Sequence, residues 1–477
     1  MNPVLLGFAA YLVTIFVVGL LTARLNRTID DYLLAGRKLG IWIVTFSERA
    51  SGESAWLLLG LPGVVFVSGL SELWVAIGCT SGILFSWIFI SRRLRTESEY
   101  NYAITIPEFF EHKFNDTSRS IRTFATIIIV FFFAFYVSAQ FIGAGKVLNA
   151  SFGISSFRGM LLGAAIILFY TIMGGFLAVA WTDLFQGALM IATLVILPLA
   201  GLIEIGGWGK MVEHLSQSHP DHLSVLGGDS GIFAAFSIIS GLAWGLGYMG
   251  QPHLLVRFMA INKPEDLRRG TLIGITWSVV AFWGAVFLGL FALVIFGDGE
   301  ISDAEKIMPM MATRLLPAWS AGILISGAIA AMMSTADSQL LVTTSAVVRD
   351  IYYNLINRKA SDKRLVSLSR LITFLVGLLA MIIALISQEL VFTMVGFAWS
   401  GLGAAFGPAM LLTLWWRRTT REGVLAGMVV GTMTAIIWHF TPQLSGLVYE
   451  LAPSYILALI AVWMVSLITA PKDHRSG

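Results

Sequence analysis

Three short stretches of the sequence place charge and oxygen where the surrounding chain is apolar. Residues 47–63 read SERASGESAWLLLGLPG, residues 241–252 read GLAWGLGYMGQP, and residues 330–341 read AAMMSTADSQLL. The first brings Glu48, Arg49 and Glu53 together with Gly52 and several serines. Arg49 and Glu53 are one helical turn apart, so they either neutralise each other as a structural pair or present a charge for function. The glycine invites unwinding, which bares backbone carbonyls that are costly in an apolar setting unless something binds them. A monovalent cation suits such carbonyls, although glycine in apolar helices also marks close packing. In the third stretch Ala331, Ser334 and Thr335 fall at i, i+3 and i+4, on one helical face. Their carbonyl and hydroxyls are hard oxygen donors without full charge, which suit an alkali cation; the same hydroxyls also bond back to their own helix. The second stretch holds four glycines and Pro252 among aromatic residues, a composition that interrupts a helix. Trp244 and Tyr248, four apart, share a face wherever helix persists.

The elements that must position these residues are membrane helices. Of 477 residues, 57% are hydrophobic and only 12% charged, about half the charged fraction of a soluble protein. The net charge of +3 is small and the basic residues are dispersed over loops, which excludes a nucleic-acid partner. A single cysteine excludes an internal disulfide and a cysteine metal cluster. Apolar runs long enough to span a bilayer recur thirteen times, the second over 40–68, the seventh over 231–256, the ninth over 317–347 and the eleventh over 389–416, and glycine or polar clusters interrupt the second, seventh and eleventh. The first, residues 3–23, reads as a span and not an export signal, because no basic region precedes it and no cleavage site follows it. Polar connections at 92–121, 205–230 and 348–366 have room only for short helices, such as IPEFFEHKF from Ile106.

Thirteen spans put the termini on opposite sides. All but six of the 31 basic residues collect on one side, including Arg37, the RRLR run at 92–95, the segment Arg257 to Arg269 and the carboxyl-terminal tail. The exceptions are Lys146, Arg158, Lys210, Lys306 and Arg314 opposite, and Arg49 within a span. Basic loops face the cytoplasm, so the amino terminus is expected outside and the carboxyl terminus inside. The interrupted second and seventh spans lie five apart. Interrupted helices in matching positions of two five-helix halves point to an inverted-repeat transporter with its site at mid-membrane.

Taken together, WLLLGLPG (56–63), RRLRTESEYNYAITIPEFF (92–110), GGFLAVAWTDLFQGALM (174–190), WGLGYMGQPHLLVRFMA (244–260), AAMMSTADSQLLV (330–342) and FAWSGLGAAFGPAML (397–411) resemble the sodium:solute symporter family, nearest its sodium/proline branch. The resemblance runs from about residue 4 to about residue 470. It implies an all-α LeuT-like core of two inverted five-helix repeats in the cell membrane. One extra helix with its loop (1–38) precedes the repeats (39–230 and 231–418), and two helices with a short tail (419–477) follow. It implies co-transported sodium held by the carbonyls of Ala50, Glu53 and Ala331 and the hydroxyls of Ser334 and Thr335, with Asp183 near the ion pathway. A small organic solute, most simply proline or a related amino acid, would lie among Ser54, Trp56, Gly60, Tyr136, Trp244, Tyr248 and Pro252.

One position departs from that pattern. The proline branch carries ASDMSGW where this chain has ASGESAW, so its aspartate falls on Gly52. Glu53 then supplies the missing carboxylate one residue along, and Arg49 fixes its charge or position. The same substitution leaves proton coupling, or uptake of another small carboxylate, as alternatives. A polytopic membrane enzyme would need converging nucleophile, base or metal residues, and no His or Cys cluster or paired carboxylate supplies them. A sensor built on a transporter core would need a signalling domain, for which the tail PKDHRSG has no room.

Overall fold

The computed structural model describes residues 3–23, 34–297, 299–387 and 389–470. Among them every regular element is a helix, and the one β-type contact is an isolated bridge between Leu39 and Ile261. The chain opens with α1 (Pro3–Ala23) and α2 (Ile41–Gly52). A wide turn, Trp56–Gly60, leads into α3 (Leu61–Ser68), α4 (Leu73–Phe85) and α5 (Ser91–Tyr100). Next come α6 (Ile106–Lys113), α7 (Ser120–Phe152), α8 (Ser156–Ile205), α9 (Trp208–Ser218) and α10 (Gly231–Ala243). The second half holds α11 (Pro252–Ala260), α12 (Leu267–Phe296), α13 (Ile307–Leu315), α14 (Ala318–Ser345) and α15 (Asp362–Ile386). It closes with α16 (Val391–Trp415), α17 (Arg421–His439), the short α18 (Pro442–Ser445) and α19 (Leu451–Thr469).

Ten helical stretches among the described residues are long and apolar enough to cross a membrane. α1 itself covers Pro3–Ala23, the whole of the run at 3–23. The runs at 40–68 and 71–91 part at Gly69, with φ 72° and ψ −147°, where α3 ends before α4 begins. The runs at 157–176 and 178–204 are two helices that meet inside α8 at a kink, where Gly175 leaves helical geometry with φ 64° and ψ 178°. That backbone region is open to glycine and strained for other residues.

The interruptions expected in the second and seventh runs are present, whereas the eleventh, also read as interrupted, is continuous helix as α16, its glycines serving close packing. α2 ends at Gly52, Glu53 leaves helical geometry at φ −105° and ψ 41°, and the next turn is the wide Trp56–Gly60. α10 ends at Ala243, a tight turn covers Trp244–Met249, and Gln251 is extended before Pro252 starts α11. Glycine there also serves packing: a Cβ on Gly247 would stand 1.9 Å from the Trp399 indole nitrogen. Between the breaks runs α14, buried along nearly its whole length against α1, α2, α7 and α8. A helix enclosed on all sides needs no polar stripe, which is why its sequence shows none.

Away from the breaks, the end bearing α5 and α6 is laced together by charge. Thr105 caps α6 by accepting from the Glu108 N–H at 3.1 Å, and the Glu108 carboxylate accepts from the Ile104 N–H at 2.9 Å. Buried Arg122 on α7 pairs with Glu111 and reaches Asp350 at 3.5 Å and Glu108 at 3.8 Å.

Candidate functional site

Unwinding at Glu53 leaves the last carbonyls of α2 without their usual intrahelical donors, and α14 meets them. Ser334 Oγ donates to the Ala50 carbonyl at 2.9 Å and lies 3.1 Å from the Ala331 carbonyl. Thr335 Oγ1 donates to the Ser51 carbonyl at 3.0 Å. Ala50, Ala331, Ser334 and Thr335, named from the sequence as cation ligands, are thus gathered at one contact between α2 and α14. The spacing of three and four from Ala331 to Ser334 and Thr335 puts both hydroxyls on the face turned to the break.

The Glu53 carboxylate turns elsewhere. It accepts from Arg49 Nη1 at 2.9 Å and from the Tyr248 hydroxyl at 2.9 and 3.1 Å. Arg49 also bonds Glu48, with Nε to Oε2 at 2.6 Å, and the Trp87 indole N–H reaches the same Glu48 oxygen at 3.1 Å. Glu48, Arg49 and Glu53 are all buried, so one guanidinium serves two carboxylates and one negative charge is left over. Through Tyr248 this network joins the first break to the second.

The seven residues named for a solute are all buried, and most are brought together. Trp56 stacks on Trp244 with ring centroids 5.0 Å apart, and Tyr248 and Tyr136 approach Trp399 at 4.7 and 6.5 Å. Gly60 lies against Phe392, Ser54 sits in the unwound segment, and Pro252 opens α11 beside Gln251, whose amide donates to the Trp399 carbonyl at 3.0 Å. Sequence reasoning missed Trp399, and also Gln140, whose side chain accepts from the Ala55 N–H at 3.0 Å and so caps the break. Gln140 stands one turn after Tyr136, so helical spacing would have found it.

Asp183 on α8 accepts from Ser47 Oγ at 2.6 Å and from Arg257 Nη2 at 3.1 Å. Arg257 is a correction. Counted from sequence among the loop residues, it is buried on α11 and also bonds Ser47, Ser51 and Ser338. The break before Pro252 displaces the helix end, so Arg257 lies inside the packed bundle and compensates Asp183. Ser47 and Ser51, one turn apart on α2, face this pair while Arg49 and Glu53 face the other break.

Above the aromatic residues a cavity of about 1080 Å³ reaches down to Trp244, Phe392 and Tyr449. Tyr449 stacks on the far side of Trp244 at 5.1 Å, so Trp56, Trp244 and Tyr449 form one column closing the cavity floor. Its lining carboxylates are Glu72, Asp221, Asp229, Glu389 and Glu450.

Two broken helices joined by a charge network, a third helix offering hydroxyls to bared carbonyls, and a cavity closed by an aromatic column define a secondary transporter. The sequence matches the model of the sodium:solute symporter family over residues 32–431, and the chain belongs to that family. It is therefore a multi-pass membrane transporter and not an enzyme, with sodium as the co-transported ion. It is 38% identical to the sodium/proline symporter of Escherichia coli (strain K12) over 98% of this chain and 93% of the relative. To the high-affinity proline transporter PutP of Bacillus subtilis (strain 168) it is 39% identical over 96% of each. The osmoregulated proline transporter OpuE of the same organism is also 39% identical, over 98% and 95%. Among solved structures, a substrate-bound, outward-open Na+-coupled sialic acid symporter superposes with a TM-score of 0.78 at 18% identity, covering 99% of both chains. MhsT in complex with L-phenylalanine gives 0.56 at 15% identity over 89% of this chain and 97% of that one. At such identities these two speak to the fold alone, which is LeuT-like.

Proposed function

We propose that the protein imports proline across the cell membrane together with sodium by alternating access. The observation that carries this reading is the Ser334 hydroxyl, 2.9 Å from the Ala50 carbonyl at the first break. Sodium enters by replacing that hydrogen bond, and the Thr335 bond to the Ser51 carbonyl, with coordination by the Ala50, Glu53 and Ala331 carbonyls and both hydroxyls. Asp183 holds the ion pathway negative, and Arg49 and Glu53 couple ion to solute. Proline then lies among Ser54, Trp56, Gly60, Tyr136, Trp244, Tyr248 and Pro252, under the Trp244–Tyr449 lid. The amino terminus faces outside and the carboxyl terminus the cytoplasm, a reading supported by the clustering of basic residues in the loops of one side. The repeats occupy 39–230 and 231–418, flanked by 1–38 and 419–477. The names of the relatives support the substrate, and the aromatic column supports a small ring.

Linkage makes the coupling reciprocal: sodium tightens proline binding and proline tightens sodium binding by the same factor. The test is uptake of labelled proline into proteoliposomes under an inward sodium gradient, with a proton gradient as the competing drive. Sodium should support accumulation, and Ser334→Ala should raise the half-saturating sodium concentration roughly tenfold, the loss of one ligand worth about 1.4 kcal/mol. Accumulation driven equally by protons without sodium, or a Ser334→Ala variant with unchanged sodium dependence, would overturn it.

A further inference from the structure

A cavity of about 680 Å³ lies between the starts of α5 and α12, on the side where the basic loops gather. Arg92 and Arg268, each the second residue of its helix, stand at its polar rim. Both are exposed, and neither guanidinium has an ion-pair or hydrogen-bond partner among the described residues. Neighbouring cations are differently placed. Arg93 donates to the Leu414 carbonyl and covers the Trp415 ring at 3.5 Å, and Arg95 is held by the Ile261 carbonyl and Glu99. Glu265 shares the rim, so the lining keeps one net positive charge.

The wall below the rim is apolar, formed by Trp87, Ile88 and Leu267. Ile88 of that wall is 53% exposed, and Leu272, the residue after the lining Thr271, is 71% exposed on the same helix. A cationic rim over an apolar, lipid-facing wall matches one kind of molecule, a lipid with an anionic head. Free phosphate would leave the wall uncovered, and a soluble acidic peptide would have to lie against lipid-facing side chains.

The inner wall connects to the transport machinery. Trp87 is packed between Gly270 and Phe258, whose ring centroid is 5.0 Å away, and its indole N–H holds Glu48 at 3.1 Å. Glu48 in turn holds Arg49, the partner of Glu53. We propose that this groove binds the headgroup of an anionic phospholipid between Arg92 and Arg268, and that occupancy steadies Trp87 and with it the first broken helix. The lipid is thereby an activator of the carrier. The inference rests on the orientation and symport reading given above.

The purified full-length protein in detergent is the material for the test, with phosphatidylglycerol, phosphatidylcholine and inorganic phosphate as probes. Phosphatidylglycerol should raise the unfolding temperature and be retained in native mass spectra; phosphatidylcholine and phosphate should do neither. Arg92→Ala/Arg268→Ala should lose both effects, and Arg92→Lys/Arg268→Lys should recover part of them. Thr271→Trp fills the cavity without touching its charge and should also lose them, which keeps the test open if the alanine variant folds poorly. Equal retention by wild type and the double alanine variant, or an equal shift with phosphate alone, would overturn the proposal. Lipid retention is read without sodium or proline, so its failure leaves the symport reading standing. In phosphatidylcholine proteoliposomes, adding phosphatidylglycerol should raise sodium-driven uptake several-fold for wild type and not for Arg92→Ala/Arg268→Ala. An equal rise in both would overturn the activating role.

Discussion

Replacing Glu53 by glutamine removes one negative charge from the centre of the molecule while keeping the side chain's shape. Its amide oxygen still accepts from Tyr248, and Arg49 keeps its bonds to Glu48, so neither partner is stranded. The loss to folding is one weakened charge-assisted hydrogen bond from Arg49, about 1.5–3 kcal/mol. The loss to ion binding is electrostatic. A unit charge about 6 Å from bound sodium is worth about 3 kcal/mol at an effective dielectric of about 20, and the nearby Arg49 offsets part of it. The remaining ~1–2 kcal/mol corresponds to a roughly 5- to 30-fold rise in half-saturating sodium. The assay is the initial rate of proline uptake in proteoliposomes across a sodium titration, beside thermal unfolding of the same preparation. Tyr248→Phe is the control, since it deletes the hydroxyl and keeps the carboxylate charge; its sodium curve should move less than that of Glu53→Gln. If Glu53→Gln keeps wild-type sodium dependence and rate, the carboxylate takes no part in coupling and the charge network is structural only.

Two further outcomes follow from buried and capping charges. Arg257→Gln strands Asp183 with only serine donors and should cost about 3–5 kcal/mol in stability, while adding Asp183→Asn should return part of it; a single variant as stable as wild type in thermal unfolding refutes the compensation. At the loop before α7, burial alone would raise the Asp116 carboxyl, but hydrogen bonds from Ser118, the Ile121 N–H and Ser120, with the Arg421 charge, hold it below its ordinary value. A depressed carboxylate stabilises above its unfolded value, near pH ~4, and that contribution disappears as pH falls through the lower folded value. Because Arg421 is about one-third exposed, Arg421→Gln should cost only about 0.5–1 kcal/mol at neutral pH and nothing once Asp116 is protonated, which unfolding measured across pH 2–7 checks.

Much of the site was legible because it rests on spacing. Ser334 and Thr335 share a face with Ala331 by helical geometry, and they are the hydroxyls that reach the first break. Gly52 beside polar residues, and glycines before Pro252, mark where helices stop, since they weaken the backbone on either side. Arg49 and Glu53 do pair, as their separation of one turn requires. Less accessible was where that pair goes next, because Tyr248 lies 195 residues away and no local rule selects it.

Composition and periodicity by themselves determined that this is an all-helical membrane protein, where its apolar runs lie and that the second and seventh of them break, although a like glycine cluster in the eleventh stays helical. Those properties are local: the length of an apolar run, the period of a helix and the backbone preferences of glycine and proline settle them residue by residue. Tertiary structure alone decided that Glu53 faces Tyr248 and that Arg257 leaves the loop side to neutralise Asp183. A buried charge must find its opposite in three dimensions, and the partner is chosen by how helices pack, which sequence separation does not encode.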